Sequence, residues 1–223
     1  APEGAVPLAA ALLAGLQPDP ELGPLLVVTA TVRRSEDTAA ALASLLDPGS
    51  VALFPAWETL PHERMSPSPD IVGQRLSVLR RLAHPDLGRA VAGGLSVVVA
   101  PLRAVLQPIV SGLGEVPPVA IREGQGITVY QLAADLLAAG YERTDLVSRR
   151  GQFAQRGGIV DVFPPTSPHP VRLEFFGDEV DEIRSFAVAD QRSLDLLPDG
   201  LWAPVCRELL LTEPVRARAA ALV

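Results

Sequence analysis

The residues of this chain best suited to bind a partner are arginine and phenylalanine side chains on short, strand-like segments between Ser148 and Arg192. Arg156 closes one such segment, while Arg172 and Phe176 lie on another. An arginine guanidinium forms fork-shaped hydrogen bonds with carboxylates and stacks on aromatic rings, so these residue types are enriched where binding energy concentrates. The pattern points to partner binding rather than to catalysis.

A second interpretation of the same arginines is that they pair within the chain. The carboxylates of Glu174, Asp178 and Glu179 follow closely in the sequence, and any of them could neutralise a nearby guanidinium. From the residues alone, partner binding and internal pairing are about equally favoured.

The sequence offers no catalytic constellation. Lysine does not occur, so no lysine can form a Schiff base, act as a general base or hold the phosphates of a nucleotide. His62, His84 and His169 are far apart in the chain, and the single cysteine, Cys206, cannot complete a zinc site. We therefore predict no catalytic residue, no metal site and no cofactor in this chain.

The overall charge argues against an independent nucleic-acid-binding protein. The 223 residues carry a formal net charge of -7 and a pI near 5.0, whereas proteins that bind DNA by themselves usually carry a basic surplus. A DNA-damage-binding module stays as an alternative, because a local patch can still bind phosphate. That patch would consist of Arg149, Arg150, Arg156 and Arg172. The single cysteine excludes an internal disulfide and indicates a reducing, cytoplasmic setting, and no apolar run is long enough for a membrane span.

The elements that must position the arginines form an α+β region in the second half of the chain. Thr128 is predicted to cap a helix over residues 129–139, because a threonine hydroxyl satisfies free amides of a first helical turn. Short alternating segments separated by Gly and Pro predict an antiparallel sheet with one buried and one wet face. The predicted strands span residues 141–147, 152–155, 158–163, 171–176 and 179–188.

The first half of the chain is typical of a parallel sheet covered by helices on both faces. Continuous apolar runs at residues 24–29, 51–54 and 95–99 predict buried strands. Ser35 is predicted to cap the helix after the first strand. Arg75, on a later helix, is expected to pair with a carboxylate of Glu58, Glu63 or Asp70.

A sheet of this kind can bind a nucleotide at the carboxyl ends of its strands, but the phosphate-binding loop is incomplete. The only candidate is the segment from Glu3 to Pro7. If Gly4 takes the place of the loop glycine, Ala5 stands where lysine is needed and Val6 where a magnesium-binding hydroxyl is needed. We predict a nucleotide-type fold without ATP chemistry. An ATPase half-site is the alternative that the missing lysine opposes.

Two separate motifs carry a family resemblance. The run from Arg150 to Pro164, with Arg172 to Asp178, resembles the second domain of UvrB and, more closely, the matching domain of the bacterial transcription-repair coupling factors. The run from Phe54 to Arg64, with Ser66 to Asp70 and Gln74 to Leu76, is similar to the first domain of the coupling factors. UvrB has a long tyrosine-rich hairpin near that point, which this sequence lacks.

The resemblance implies an α/β protein in which a helicase-like, parallel-sheet domain carries an inserted α+β domain of the UvrA-binding type. Residues 1–116 would form the first domain, a degenerate P-loop NTPase fold like UvrB domain 1. Residues 117–190 would form the UvrA-binding domain, like UvrB domain 2. Residues 191–223 would begin the return to the first domain.

The resemblance also assigns the residues that contact UvrA. Matched motif by motif, they are Arg156, Arg172, Glu174 and Phe176, with Arg150 as a further carry-over. UvrB has another arginine two positions before the equivalent of Arg156, whereas this chain has Ala154 there.

The family implies that the chain is part of a larger parent protein. That parent would be an ATP-dependent translocase on double-stranded DNA that displaces RNA polymerase stalled at lesions. The present part would recruit UvrA by mimicking UvrB. ATP and Mg would belong to motor domains elsewhere in the parent, and a C-terminal domain of the parent would mask the UvrA-binding face.

Overall fold

The computed structural model describes residues 3–16, 23–60, 63, 65–85, 94–210 and 213–221. The chain divides into two compact units. The first comprises Ala1–Pro67 and Gln74–Glu115, and the second comprises Ser68–Gly73 and Val116–Val223. Within the described ranges, no helix has both the length and the apolar character needed to cross a membrane.

The first unit is built on a three-stranded parallel sheet with the strand order β1-β3-β2. Its strands are β1 (Leu25–Thr29), β2 (Val51–Leu53) and β3 (Val97–Pro101). Its helices are α1 (Val6–Gly15), α2 (Val32–Ala43), α3 (Pro69–Ala83) and α4 (Leu102–Leu106). The start of α3 is grouped with the second unit. The parallel sheet predicted from the apolar runs is confirmed.

The two faces of this sheet carry separate apolar clusters. The first cluster contains Ala10, Leu42, Val97 and Val99, and the second contains Phe54, Val78, Val98 and Ala100. At the edge strand β1, however, Leu26 and Val28 are 51% and 46% exposed. The predicted covering of both faces therefore holds at the central strand but not along β1.

Helix α2 begins earlier than predicted. Thr31 is its N-cap, because the backbone there is extended and Oγ1 accepts a hydrogen bond from Arg34 N at 3.3 Å. Ser35 lies inside the helix, where its hydroxyl donates to Val32 O at 2.6 Å. The prediction that Ser35 caps the helix was wrong, because Thr31 already satisfies the first turn and a serine within a helix can bond to the preceding turn.

The second unit is dominated by a six-stranded sheet with the order β10-β9-β8-β7-β6-β5. All neighbouring strands are antiparallel except β5 and β6. Its strands are β5 (Glu142–Arg143), β6 (Gln152–Arg156), β7 (Ile159–Val162), β8 (Val171–Phe176), β9 (Glu179–Phe186) and β10 (Ser193–Leu196). A two-stranded sheet pairs β4 (Val119–Ile121) with β11 (Leu201–Ala203), and the helices are α5 (Val129–Ala138) and α6 (Glu213–Ala220).

The start of this unit follows the sequence prediction in part. Thr128 caps α5 as predicted, since its Oγ1 accepts a hydrogen bond from Gln131 N at 3.1 Å. The strand predicted over residues 141–147 is reduced to β5. The Thr144 hydroxyl donates to Leu146 O at 3.2 Å, and this local turn takes the chain out of the sheet.

In the structure the six-stranded sheet continues beyond residue 190, where the sequence analysis placed the end of the second domain. Strand β10 extends the six-stranded sheet, and β11 pairs with β4. Cys206 N then donates to Ala139 O at 2.8 Å, so residues 193–206 belong to the second unit, which continues to Val223. The turn before β10 contains Gln191 in a left-handed conformation, with φ 61, and this break in the alternating pattern resembles the end of a domain.

Candidate functional site

The six-stranded sheet has two chemically different faces. Side chains on one face are apolar and buried, and α5 contacts the strands β6 and β7. On the other face, residues directly opposite one another form two rows, because paired positions share a face and the side-chain period is two. The first row consists of Ala154, Asp161, Arg172 and Arg184. The second row consists of Arg156, Ile159, Glu174 and Glu182. We call these eight residues the arginine face.

The centre of the arginine face is the carboxylate of Asp161, whose side chain is 1% exposed. Arg172 binds it with two hydrogen bonds, Nε to Oδ1 at 2.7 Å and Nη2 to Oδ2 at 3.0 Å. Arg156 Nη2 donates to Oδ2 at 2.6 Å. One buried carboxylate on β7 is therefore shared by two guanidinium groups, which come from the strands on either side of it, β6 and β8.

Asp161 is the partner of the two arginines that the sequence analysis missed. Internal pairing of the arginines does occur, but the expected partners were Glu174, Asp178 and Glu179. A signal was present in the sequence, because Asp161 is a lone carboxylate within the apolar strand Ile159–Val162. A charged residue in such a strand is tolerated when it is paired, so it marks a buried partner for a cation.

Arg172 is held on several sides by its own domain. Its side chain is 14% exposed, and its Cζ lies 4.7 Å from the centroid of the Phe186 ring. Besides the two bonds to Asp161, its Nη1 lies 3.4 Å from Gln191 O. The hydrogen bond with Asp161 raises the pKa of Arg172, while burial acts in the opposite direction. All three guanidinium nitrogens of Arg172 therefore have partners inside the unit.

Arg156 is placed differently. Its side chain is 49% exposed, and its contact with Asp161 uses Nη2 alone. In the part of the chain that the structure describes, Nε and Nη1 have no hydrogen-bond partner. The side chain borders an open cleft of about 490 Å³, which is also lined by Arg143, Thr144, Asp145 and Gln155. Arg156 can therefore donate to a partner without breaking its internal bond.

Phe176 ends strand β8 and is 84% exposed. Gly177, with φ +64, forms the turn that follows it. The preceding residue, Phe175, is partly buried, as expected for neighbours that point to opposite faces of a strand. The ladder between β8 and β9 is irregular between Glu174 and Phe175. Phe176 is thus an aromatic side chain held outward at the end of a hairpin.

Glu174 is partly buried and lies directly opposite Glu182 on β9. Arg184 binds both oxygens of Glu182, with Nη2 2.7 Å from Oε2 and Nε on Oε1. This hydrogen bonding lowers the pKa of Glu182, and it raises the pKa of Arg184. The cation allows two carboxylates to face each other across the strands, which would otherwise be unfavourable.

Arg150 lies outside the group around Asp161. Its Nη1 donates to Asp70 Oδ1 at 2.9 Å, its Nε donates to Ser167 O at 3.1 Å, and its Cζ lies 5.1 Å from the centroid of the Phe163 ring. Phe163 and Phe186 belong to one buried cluster, so Arg150 and Arg172 stack on rings of the same core. Arg150 thus has internal partners for two of its nitrogens.

In the first unit, Arg75 organises a loop. Its side chain is fully buried, its Nη1 donates to Pro55 O at 2.9 Å, and its Cζ lies 4.3 Å and 5.3 Å from the ring centroids of Phe54 and Trp57. The sequence analysis did not foresee these carbonyl and ring contacts. They join α3 to the loop after β2 and give Arg75 a structural role.

The start of the first unit does not form a lysine-containing phosphate-binding loop. Gly4 lies in a short 3-10 turn, Glu3–Ala5, that leads directly into α1. The cleft beside it, of about 380 Å³, is lined by Gly4, Pro7, Thr31, Arg33, Arg34, Asp37 and Thr38. Ala5 and Val6 supply neither the cation nor the hydroxyl that a phosphate-bound magnesium ion requires. The described residues also include no group of His, Cys, Asp and Glu that could hold a metal ion.

Most of the second unit is similar to a known protein family. The family model of the UvrB interaction domain matches residues 119–202. That range contains the whole arginine face, as well as Arg150 and Phe176.

Relatives match a larger part of the chain. It is 53% identical over 201 residues to the transcription-repair-coupling factor of Mycobacterium tuberculosis, which covers 90% of this chain and 16% of that protein. The factor of Bacillus subtilis is 38% identical over 204 residues, covering 88% of this chain and 16% of that protein. The factor of Escherichia coli is 36% identical over 140 residues, or 62% of this chain and 12% of that protein. The chain therefore spans about one sixth of the length of the first two relatives.

Proposed function

Because residues 119–202 belong to the UvrB interaction domain family and the chain is homologous to the N-terminal region of the transcription-repair-coupling factors, we propose that it recruits UvrA for transcription-coupled nucleotide excision repair. The second unit would present to UvrA a surface that mimics the one on UvrB. The chain acts in this proposal as a docking module and not as an enzyme.

The observation that carries the proposal is the exposure of Arg156 and Phe176 beside the otherwise internal pairing of the arginine face. Arg156 keeps Nε and Nη1 available in the described structure, and Phe176 exposes 84% of its surface. Arginine and aromatic side chains of this kind are frequent energetic centres of protein interfaces. Glu174 adds a carboxylate on the same face and would give the surface charges of both signs.

The other proposed contacts differ in how directly they would meet UvrA. Arg172 is 14% exposed and has internal partners for all three nitrogens, so its contribution would come mainly from supporting its neighbours. Arg150 binds Asp70 and Ser167 O, so we assign it a supporting role as well.

The activities of the parent protein are part of the same proposal. By family membership of its relatives, the parent would be an ATP-dependent translocase on double-stranded DNA that displaces stalled RNA polymerase in the cytoplasm. ATP and Mg would bind motor domains elsewhere in that protein. The first unit would be a helicase-like domain with a degenerate P-loop, and a C-terminal domain of the parent would mask the UvrA-binding face.

Calorimetric titration of the chain with UvrA tests the proposal. The decisive variant combines Arg156→Ala with Phe176→Ala. A matched control combines Arg122→Ala with Tyr130→Ala, because Arg122 is exposed and Tyr130 is a 79% exposed aromatic residue of the same unit. We expect the wild type and the control to bind, and the first variant to bind at least a hundredfold more weakly.

Two results would contradict the proposal. A folded wild-type chain that does not bind UvrA would remove the recruitment role. Equal losses in the two double variants would place the interface elsewhere on the unit. Strong binding of DNA with a steep dependence on salt would instead favour the damage-binding alternative.

A further inference from the structure

We infer that Asp161 is a positioning residue of the UvrA-binding site: with Arg172 it holds the guanidinium of Arg156 in the orientation that UvrA meets. This inference rests on the proposed function and adds the residue that organises the site. Asp161 itself would not touch UvrA, because its side chain is 1% exposed.

Arg172, Asp161 and Arg156 are linked by hydrogen bonds in that order, and Arg156 is the most exposed of the three. Arg172 is fixed by the Phe186 ring and by partners on all three nitrogens. Asp161 is fixed in turn by two bonds from Arg172, at 2.7 and 3.0 Å. Arg156 donates a single bond to Asp161, from Nη2 to Oδ2 at 2.6 Å, and remains about half exposed. The outermost residue is therefore the one that depends on Asp161 for its position.

The charges point to the same arrangement. A carboxylate buried to this degree requires compensation by cations and hydrogen bonds, and two guanidinium groups supply more than one carboxylate needs. Two positive charges and one negative charge leave the group with one net positive charge, and the exposed member is Arg156. Although the whole chain has a net charge of -7, this point of its surface is suited to a carboxylate of the partner.

Holding Arg156 in advance has a consequence for affinity. A long side chain that rotates freely loses that freedom when a partner binds it, whereas a side chain that is already fixed loses less. Removing the carboxylate of Asp161 should therefore weaken binding even though no residue in contact with UvrA has changed. A residue with a purely structural role would change the stability of the unit and leave the affinity of the folded protein unchanged.

The test compares Asp161→Asn with Val162→Ala by titration with UvrA, at a temperature where both are folded. Val162 is the neighbouring residue on the same strand, is fully buried and belongs to the opposite face, so its truncation lowers stability without touching the arginines. We expect Asp161→Asn to bind UvrA at least tenfold more weakly and Val162→Ala to bind within twofold of the wild type. NMR relaxation of the Arg156 Nε–H group should also show higher mobility in Asp161→Asn and unchanged mobility in Val162→Ala.

A double-mutant cycle with Arg156→Ala tests whether Asp161 acts on UvrA binding through Arg156. If Asp161 acts through Arg156, adding Asp161→Asn to Arg156→Ala should cause less than a twofold further loss. Wild-type affinity in Asp161→Asn, with an immobile Arg156, would overturn the inference while leaving UvrA recruitment intact. A wild-type chain that fails to bind would overturn the proposed function and the inference together. Should Asp161→Asn not fold, Asp161→Glu keeps the charge but displaces Arg156, and the same loss of affinity and order is expected of it.

Discussion

The guanidinium of Arg172 stacks on the ring of Phe186, with 4.7 Å between Cζ and the ring centroid. The same guanidinium also donates a hydrogen bond from Nε to Asp161 Oδ1. Arg172 therefore belongs to the interior of the second unit. Arg156, which the family resemblance also names as a contact residue, is instead about half exposed. The two arginines should therefore respond differently to substitution.

Truncation of Arg172 should destabilise the second unit far more than truncation of Arg156. Arg172→Ala leaves the buried carboxylate of Asp161 without its bidentate partner, a change that typically costs about 3–5 kcal/mol. Arg156→Ala removes a half-exposed pair and should cost roughly 1 kcal/mol or less. Urea denaturation of both variants measures the free energy of unfolding. Equal losses would mean that Arg156 is as much a part of the interior as Arg172.

Phe176→Ala should reduce the affinity for UvrA without changing stability. The side chain is 84% exposed, so its removal should alter the free energy of unfolding by less than about 0.5 kcal/mol, while loss of an interface anchor costs about 2 kcal/mol or more of binding energy. Phe153→Ala is the opposite control, because Phe153 is fully buried and its truncation should cost about 3–5 kcal/mol of stability. Unchanged binding by Phe176→Ala would remove this residue from the interface.

The stability of the second unit should fall in alkaline solution. Burial raises the pKa of the Cys206 thiol from 9.0 to about 12, and burial also raises the pKa of Tyr141, which lies beside it. Between these limits the unfolded chain releases the thiol proton while the folded chain keeps it, so the unfolded state binds fewer protons and folding stability declines as pH rises. The decline should approach about 1.4 kcal/mol per pH unit for each such group.

Urea denaturation at pH 8 and at pH 10.5 measures this effect. Cys206→Ala removes one of the two groups and should show a shallower dependence on pH than the wild type. Identical slopes for the two proteins would mean that the thiol ionises as readily in the folded protein as in the unfolded chain.

In the first unit, Arg75→Ala should be strongly destabilising. The fully buried guanidinium binds Pro55 O and lies against the rings of Phe54 and Trp57, and its removal leaves a cavity and a buried carbonyl without its donor. A loss of about 3 kcal/mol is expected. Gln74→Ala on the same helix is the control, because Gln74 is exposed. Circular dichroism during heating distinguishes the two, and equal melting curves would contradict the structural role of Arg75.

Much of the fold could be predicted because its signals are local. Apolar runs mark β1, β2 and β3, and Thr128 marks the start of α5. The cap of α2 could not be identified from the sequence because Thr31 and Ser35 both carry a hydroxyl that can cap a helix, and only the backbone conformation decides between them. The extension of the sheet beyond residue 190 was not predicted, for a different reason. A strand that rejoins a sheet after a left-handed turn at Gln191 gives no local sign of doing so.

The candidate site shows the same division. Alternation along the short segments was enough to predict an antiparallel sheet. The partner of the arginines depended instead on the register between β6, β7 and β8, which brings Asp161 opposite Arg172, and register is not readable from one strand alone. Long-range contacts of this kind require the assembled sheet, although a lone carboxylate within an apolar strand is a sign that such a contact exists.

Hydrogen bonds between the segment after β11 and the segment after α5 determine how far the chain can be shortened. Tyr141 donates its hydroxyl proton to Pro204 O at 2.9 Å, and Cys206 N binds Ala139 O. Trimming at residue 190, where sequence reasoning would have cut, removes an edge strand, both of these ties and the partner of β4 in one step. A shortened fragment of the second unit for crystallisation or for testing UvrA binding should therefore extend at least through Cys206.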